Sequence, residues 1–151
     1  MFVGYIKTKI GIIKIIATDT EIVFVGIVNE IENDTKNNDL ILKCESELFE
    51  YFDGTRKDFD LPIKIYAKPF ETKVLNYLQN VEYGKTISYK ELSQSLHIKN
   101  GWRVVAKALA QNNLIILLPC HRVVLSNGKV GGYKYGTNVK EYLLNLENNA
   151  K

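Results

Sequence analysis

The chain has 151 residues, 46% hydrophobic and 25% charged, enough to bury a core in one domain or two small ones and too apolar for a wholly disordered polymer. No apolar run approaches the ~20 residues that cross a bilayer, and the opening Met1-Phe2-Val3-Gly4-Tyr5-Ile6-Lys7 lacks a secretory pattern, so a cytoplasmic protein without membrane attachment is expected. The net charge of +3 hides an asymmetry: residues 1–60 carry 7 Lys/Arg against 12 Asp/Glu, residues 61–151 carry 13 against 5, and the second half, at +8, is the candidate polyanion binder.

Two cysteines, Cys44 and Cys120, lie 76 positions apart without CxxC spacing, and the only histidines are His97 and His121. A disulfide framework and a Cys- or His-based metal site are therefore not expected, nor is any cofactor.

Short β-branched and aromatic runs at 2–6, 10–17 and 22–28, separated by Thr8-Lys9 and Thr18-Asp19-Thr20, predict an antiparallel meander. Residues 30–38 are polar and predict a mobile, solvated connector. Asp39 is the expected cap of a helix running to about Phe52, with Leu40, Ile41, Cys44, Leu48, Phe49 and Phe52 inward and Gly54 as its stop. Residues 61–67 alternate around Ile63 and Ile65 and predict a last strand or an extended linker. A helix on a small sheet, residues 1–67, is the expected N-terminal α/β unit.

Pro69 suits the first turn of a helix over 70–81 whose apolar face is Phe70, Val74, Tyr77, Leu78 and Val81. Ser88-Tyr89-Lys90-Glu91 has the form of a capping box opening a short helix through Leu92 and Leu96. After a turn from His97 to Asn100, a second helix is expected from Gly101 to Gln111, with Trp102, Val105, Ala106 and Leu109 inward. Two short helices joined by a tight turn make a helix-turn-helix candidate with Arg103 where DNA would be met. Residues 114–118 predict a packed extended segment or turn, residues 123–130 a hairpin or wing around Asn127-Gly128, and residues 139–148 a last helix capped by Asn138 with Tyr142, Leu143 and Leu146 inward. The final residues 149–151 are expected to fray.

Pro119-Cys120-His121-Arg122-Val123 places a thiol beside an imidazole and a guanidinium. Two readings stand: a small buried hydrophobe with Arg122 solvated, or a thiol whose pKa is lowered by neighbouring positive charge to give a nucleophilic thiolate with His121 as base. This pentapeptide resembles the signature of the O6-alkylguanine-DNA alkyltransferases. The resemblance extends to Ile87-Ser88-Tyr89, Arg103, Asn112, Gly128-x-Val130-Gly131-x-Tyr133, Lys140-Glu141-x-Leu143-Leu144 and Glu147.

That resemblance implies a ribonuclease H-like N-terminal unit followed, over 68–151, by a mainly helical, winged helix-turn-helix domain for DNA binding and alkyl transfer. It implies irreversible, single-turnover transfer of the alkyl group from O6-alkylguanine, and from O4-methylthymine, in double-stranded DNA to Cys120. A relay from Cys120 through water to His121 and Glu147 is implied, with Asn112 tying the recognition helix to the active-site turn. Arg103 would fill the duplex in place of the flipped nucleotide, and Tyr89, Lys90 and Ser126 would contact DNA. Tyr89, Val123, Tyr133 and Lys134 would line the base pocket, and the protein would act as a monomer. Gly101 would allow close approach in the minor groove, where Trp102 is bulkier than the pattern.

The sequence departs from the family in Asn113 where proline is usual, in Ala106 where glycine is usual, and in Lys134-Tyr135, which replace smaller residues and bear on bulky adducts. A non-catalytic lesion sensor, whose family replaces the cysteine, and a multiple-turnover cysteine hydrolase are the alternative functions.

Overall fold

The computed structural model describes residues 1–99 and 101–150 and divides into two compact units, Met1–Tyr66 and Ala67–Asn149. Asn100, the end of the expected turn, and Lys151 lie outside the described residues.

In the first unit, β1 (Phe2–Thr8), β2 (Gly11–Ala17) and β3 (Ile22–Val28) form an antiparallel sheet in sequential order. The first turn closes with Thr8 opposite Gly11, so β2 starts one residue later than its apolar run suggests. Gly11 holds φ of 120°, a conformation that Ile10 would adopt only with strain. Alternation does the rest: Ile13, Ile15 and Ala17 of β2 are buried, joined on the same face by Ile6 of β1 and by Ile22 and Val25 of β3.

Helix α1 (Asp39–Phe52) covers this face. Its cap is Asn38 rather than Asp39: the Asn38 side chain accepts from the Ile41 amide at 2.8 Å. The buried stripe is Ile41, Cys44, Leu48 and Tyr51, while Phe49 is exposed. The expected stripe was thus rotated, because Gly4 lets the sheet approach Ile41 so closely that a Cβ there would lie 2.6 Å from Ile41 Cγ2. The connector 30–38 is tied back to β1, with Val3 and Lys36 exchanging backbone bonds of 2.8 and 3.0 Å and Asp34 accepting from Tyr5 at 2.7 Å. Residues 61–67 form no strand; a single parallel bridge joins Ile63 to Ile22.

In the second unit, α2 (Pro69–Tyr77) tightens into one 3-10 turn, Leu78–Asn80. Val74, Leu75, Leu78 and Val81 are buried, whereas Phe70 stays at the surface and Tyr77 is only half-buried. Helix α3 (Tyr89–Ser95) opens on the reciprocal box in which Ser88 accepts from Glu91 N at 3.0 Å and Glu91 accepts from Ser88 N at 3.1 Å. After a turn in which His97 takes φ of 58°, α4 (Trp102–Leu109) packs on α3 and α2 through Val105, Ala108 and Leu109.

Trp102, expected inward, is 51% exposed. The expected hairpin is reduced to a turn in which Leu125 N donates to Lys129 O at 2.9 Å, since β5 (Val123–Val124) pairs in parallel with β4 (Ile87–Ser88) instead. The last helix, α5 (Thr137–Ala150), contains Asn138 within it and buries Lys140, Leu143 and Glu147, leaving Tyr142 and Leu146 half-covered. No helix among the described residues is long and apolar enough to cross a membrane.

Candidate active site

The turn that delivers Cys120 is built on one buried amide. Asn112 follows α4, and its Nδ2 donates to Leu118 O at 2.8 Å while its Oδ1 accepts from Leu114 N at 2.9 Å. Those bonds fold 114–118 into a compact turn rather than an extended segment. Leu118 N donates to Leu114 O at 2.8 Å, and Ile116 is held at φ of 72°, a region β-branched residues rarely enter. Cys120 N then donates to Leu118 O at 2.8 Å, and Cys120–Arg122 forms a single 3-10 turn. Asn112 is therefore more than a helix C-cap, since it positions both ends of the approach to the cysteine.

One face of α5 brings a charged cluster beneath this turn. Glu147 Oε2 lies 2.6 Å from His121 Nε2 and 3.1 Å from Arg122 Nη2, and Glu147 Oε1 accepts from Arg122 Nε at 2.8 Å and from Gly84 N at 3.2 Å. Arg122 Nη1 donates to Val81 O at 2.7 Å. Burial works to raise the Glu147 carboxyl, but the bonds and charges of His121 and Arg122 outweigh it and hold the group well below the usual carboxylate range. Burial pushes the His121 imidazole down, against the pull of Glu147. The arrangement is thus a carboxylate, a guanidinium and a neutral imidazole whose Nε2 carries the proton, which leaves Nδ1 with its lone pair. That Nδ1 is buried and finds no protein partner among the described residues.

Cys120 is 6% exposed, yet it lines a cavity of about 360 Å³ with Tyr89, Trp102, Ala106, Tyr133 and Lys134 among its walls. Burial raises its thiol, against the pull of Asn112, Lys140 and Tyr133. The expectation that adjacent charge lowers this thiol is corrected: Arg122 turns away to Glu147, and the resting group is a protonated thiol.

Lys140 is fully buried beside it, its Nζ donating to Val123 O at 2.6 Å and Gly132 O at 3.0 Å and lying 3.5 Å from Tyr89 Oη. Burial lowers the Lys140 ammonium to about 8. Lys134 Nζ reaches Asn112 O at 3.4 Å and Asn113 Oδ1 at 3.2 Å, spanning from the 131–136 loop to the end of α4. Val123 is buried outside the cavity wall, its carbonyl taken by Lys140.

A second cavity, of about 550 Å³, adjoins the first and is lined by Tyr89, Lys90, Trp102 and Ser126. Arg103 is exposed at the start of α4, its guanidinium 5.2 Å from the Trp102 ring centroid. Gly101 is buried, and a Cβ on it would collide with Ile98, so this glycine seats α4 against the preceding turn rather than standing at a surface.

Sequence reasoning missed two participants. Arg122 was read as solvated if Cys120 were structural, and Lys140 as part of a motif without a role. A signal for Lys140 existed: Lys140, Leu143 and Glu147 share a helical face, which puts a cation on a core stripe. Among the described residues no group of three or more His, Cys, Asp or Glu side chains could hold a metal ion.

Residues 1–65 match the model of the 6-O-methylguanine DNA methyltransferase ribonuclease-like domain, and residues 69–149 that of the DNA binding domain of 6-O-methylguanine DNA methyltransferase. A methylated-DNA–protein-cysteine methyltransferase of Metallosphaera sedula is 32% identical over 145 residues, covering 95% of this chain and 91% of that protein. A probable methylated-DNA–protein-cysteine methyltransferase of Acanthamoeba polyphaga mimivirus is 34% identical over 148 residues, 97% of each chain. The crystal structure of Mycobacterium tuberculosis OGT in complex with DNA superposes with a TM-score of 0.91 at 26% identity, covering 99% of this chain and 94% of that one. An O6-methylguanine DNA methyltransferase of Methanococcus jannaschii gives a TM-score of 0.71 at 27% identity over 96% of this chain and 93% of that one.

Proposed function

Because the chain belongs to the O6-alkylguanine-DNA alkyltransferase family, we propose that it repairs O6-alkylguanine, and O4-methylthymine, in duplex DNA by moving the alkyl group onto Cys120. The chain is an enzyme of the methylated-DNA–protein-cysteine methyltransferase kind, and DNA is its partner. The observation that carries the residue-level reading is the buried His121–Glu147 contact of 2.6 Å behind a cysteine that faces a cavity.

In this reading the Cys120 proton passes through a bridging water to His121 Nδ1, the one ring nitrogen that Glu147 leaves available. Glu147 and Arg122 then hold the imidazolium that forms, Glu147 by attraction and Arg122 by keeping Glu147 ionised. The thiolate attacks the alkyl carbon in line with the O6 ether: a carbon–sulfur bond forms, the carbon–oxygen bond breaks, and guanine leaves with the electron pair and takes up a proton. Among the described residues no group near the product thioether could cleave it, so each molecule acts once.

A stacked guanine keeps O6 beyond reach of the thiol, and extrusion costs a few kcal/mol. Arg103, exposed at the start of α4, is the side chain proposed to fill the gap. Tyr89, Tyr133 and Lys134 form the base pocket, with Lys90 and Ser126 on the phosphate side. Val123, whose carbonyl accepts from Lys140 Nζ, is proposed to meet the base through its main chain.

Intact mass after mixing with a duplex containing O6-methylguanine tests this. One methyl in place of the thiol proton on the Cys120 peptide is expected. Cys120→Ala should hold the duplex and keep its mass, and repair surviving that change would overturn the assignment. Repeated turnover of a small ester or amide without DNA would favour a cysteine hydrolase.

A further inference from the structure

Trp102 is the single tryptophan of the chain, and it is placed where a globular protein has little reason to leave an indole. Val105, Ala108 and Leu109 are the buried residues of α4, and Trp102, at 51% exposed, stands outside that buried set. It lies on the wall shared by the two adjoining cavities, one with Cys120 among its lining and the other with Tyr89, Lys90 and Ser126. Its direction is set from below, since buried Gly101 presses the start of α4 against Ile98. The Arg103 guanidinium lies over the ring at 5.2 Å from the centroid, a cation–π distance that orients the indole.

From this placement we infer that Trp102 is the stacking platform of the alkyl-base pocket: its indole receives the face of the extruded alkylated purine at the mouth of the Cys120 cavity. The inference rests on the reading of that cavity as the base pocket. A nucleobase is a planar aromatic with a delocalised face, and stacking on indole holds it without regard to its hydrogen-bonding edge. Arg103 and Trp102 then act in sequence. When the guanidinium leaves the ring to enter the duplex, it uncovers the surface on which the displaced base settles. Trp102 is thus a specificity residue for flat aromatic cargo, distinct from the groups that move protons.

Because there is one tryptophan, its fluorescence reports on this residue alone. Wild-type protein is mixed in a stopped-flow instrument with a duplex containing O6-methylguanine and, separately, with the same duplex containing guanine, while methyl arrival on Cys120 is followed by rapid quench and mass. Additional quenching with the damaged duplex, preceding methyl transfer, is expected and should persist in Cys120→Ala. Trp102→Ala should slow transfer about 10-fold and Trp102→Phe by no more than about 3-fold, as loss and retention of one stacked base would give. Both variants should keep the wild-type melting temperature, which separates stacking from a structural role. Equal quenching by damaged and undamaged duplex, or an unchanged rate in Trp102→Ala with Cys120 still methylated, would overturn the inference and leave Trp102 as a general groove contact. Absence of methyl on wild-type Cys120 would overturn the functional reading itself, and this one with it.

Discussion

Replacing Glu147 with glutamine keeps its shape and removes its charge, which makes it a sharp probe of the buried cluster. In the wild type the carboxylate accepts from Arg122 Nε at 2.8 Å and from Arg122 Nη2 at 3.1 Å, with His121 Nε2 at 2.6 Å. The glutamine carbonyl can still accept from Arg122, but its amide then faces His121 Nε2 and donates to it. The imidazole must move its proton to Nδ1, so the nitrogen assigned to deprotonate Cys120 becomes a donor. Removing one partner of a buried pair costs about 3–5 kcal/mol, and the surviving Arg122 bond puts Glu147→Gln near the lower end. Loss of a positioned base should slow methyl transfer by about 10²- to 10⁴-fold. Urea unfolding, read at constant slope, measures the first effect, and single-turnover quench-flow at pH 7 the second. A glutamine variant that transfers within about 3-fold of wild type would refute the control of the imidazole tautomer by Glu147.

The same pairing predicts acid lability. Glu147 is held below its ordinary 4.5, so its contribution is complete above that pH and lost as pH falls through the folded value. His121 is held below its ordinary 6.5, so the unfolded chain gains a proton first and stability already declines beneath pH 6.5. Unfolding free energy against pH should slope downward into acid in the wild type, with a shallower limb below 4.5 in Glu147→Gln.

Lys140→Met removes the donor to Val123 O and Gly132 O and should destabilise by about 1–3 kcal/mol. Because burial lowers Lys140 from 10.5 to about 8, the unfolded chain binds the extra proton in that window, so wild-type stability relative to Lys140→Met should rise with pH there. Gly101→Ala drives a methyl into Ile98 and should cost about 1–3 kcal/mol in urea unfolding, with partial rescue by Ile98→Ala, which removes the Cγ2 that the methyl meets. Asn112→Ala strands the buried Leu114 amide, at a cost of about 1–3 kcal/mol, and should slow transfer by loosening the turn that carries Cys120.

Features set within a few residues were legible in the sequence. The Ser88–Glu91 box closes over three positions, strand β2 announces itself by alternation, and the thiol and imidazole of Cys120 and His121 are adjacent in the chain. The ordered motif from Ile87 to Glu147 carries the family resemblance in the sequence itself, because ligand chemistry constrains residue types in fixed order.

What the chain could not declare is which charged side chains go inside. Arg122 and Glu147 are 25 positions apart, and each alone is an ordinary surface residue; burial becomes tolerable only once α5 docks under the active-site turn and the two charges meet. Helix faces were misjudged for a related reason. Phe49 and Trp102 satisfy a 3.6-residue period as well as their buried neighbours do, and the choice between them fell to steric approach, by Gly4 against Ile41 and by Gly101 against Ile98. Periodicity supplies the rotation per residue, but only the packed neighbour sets the phase.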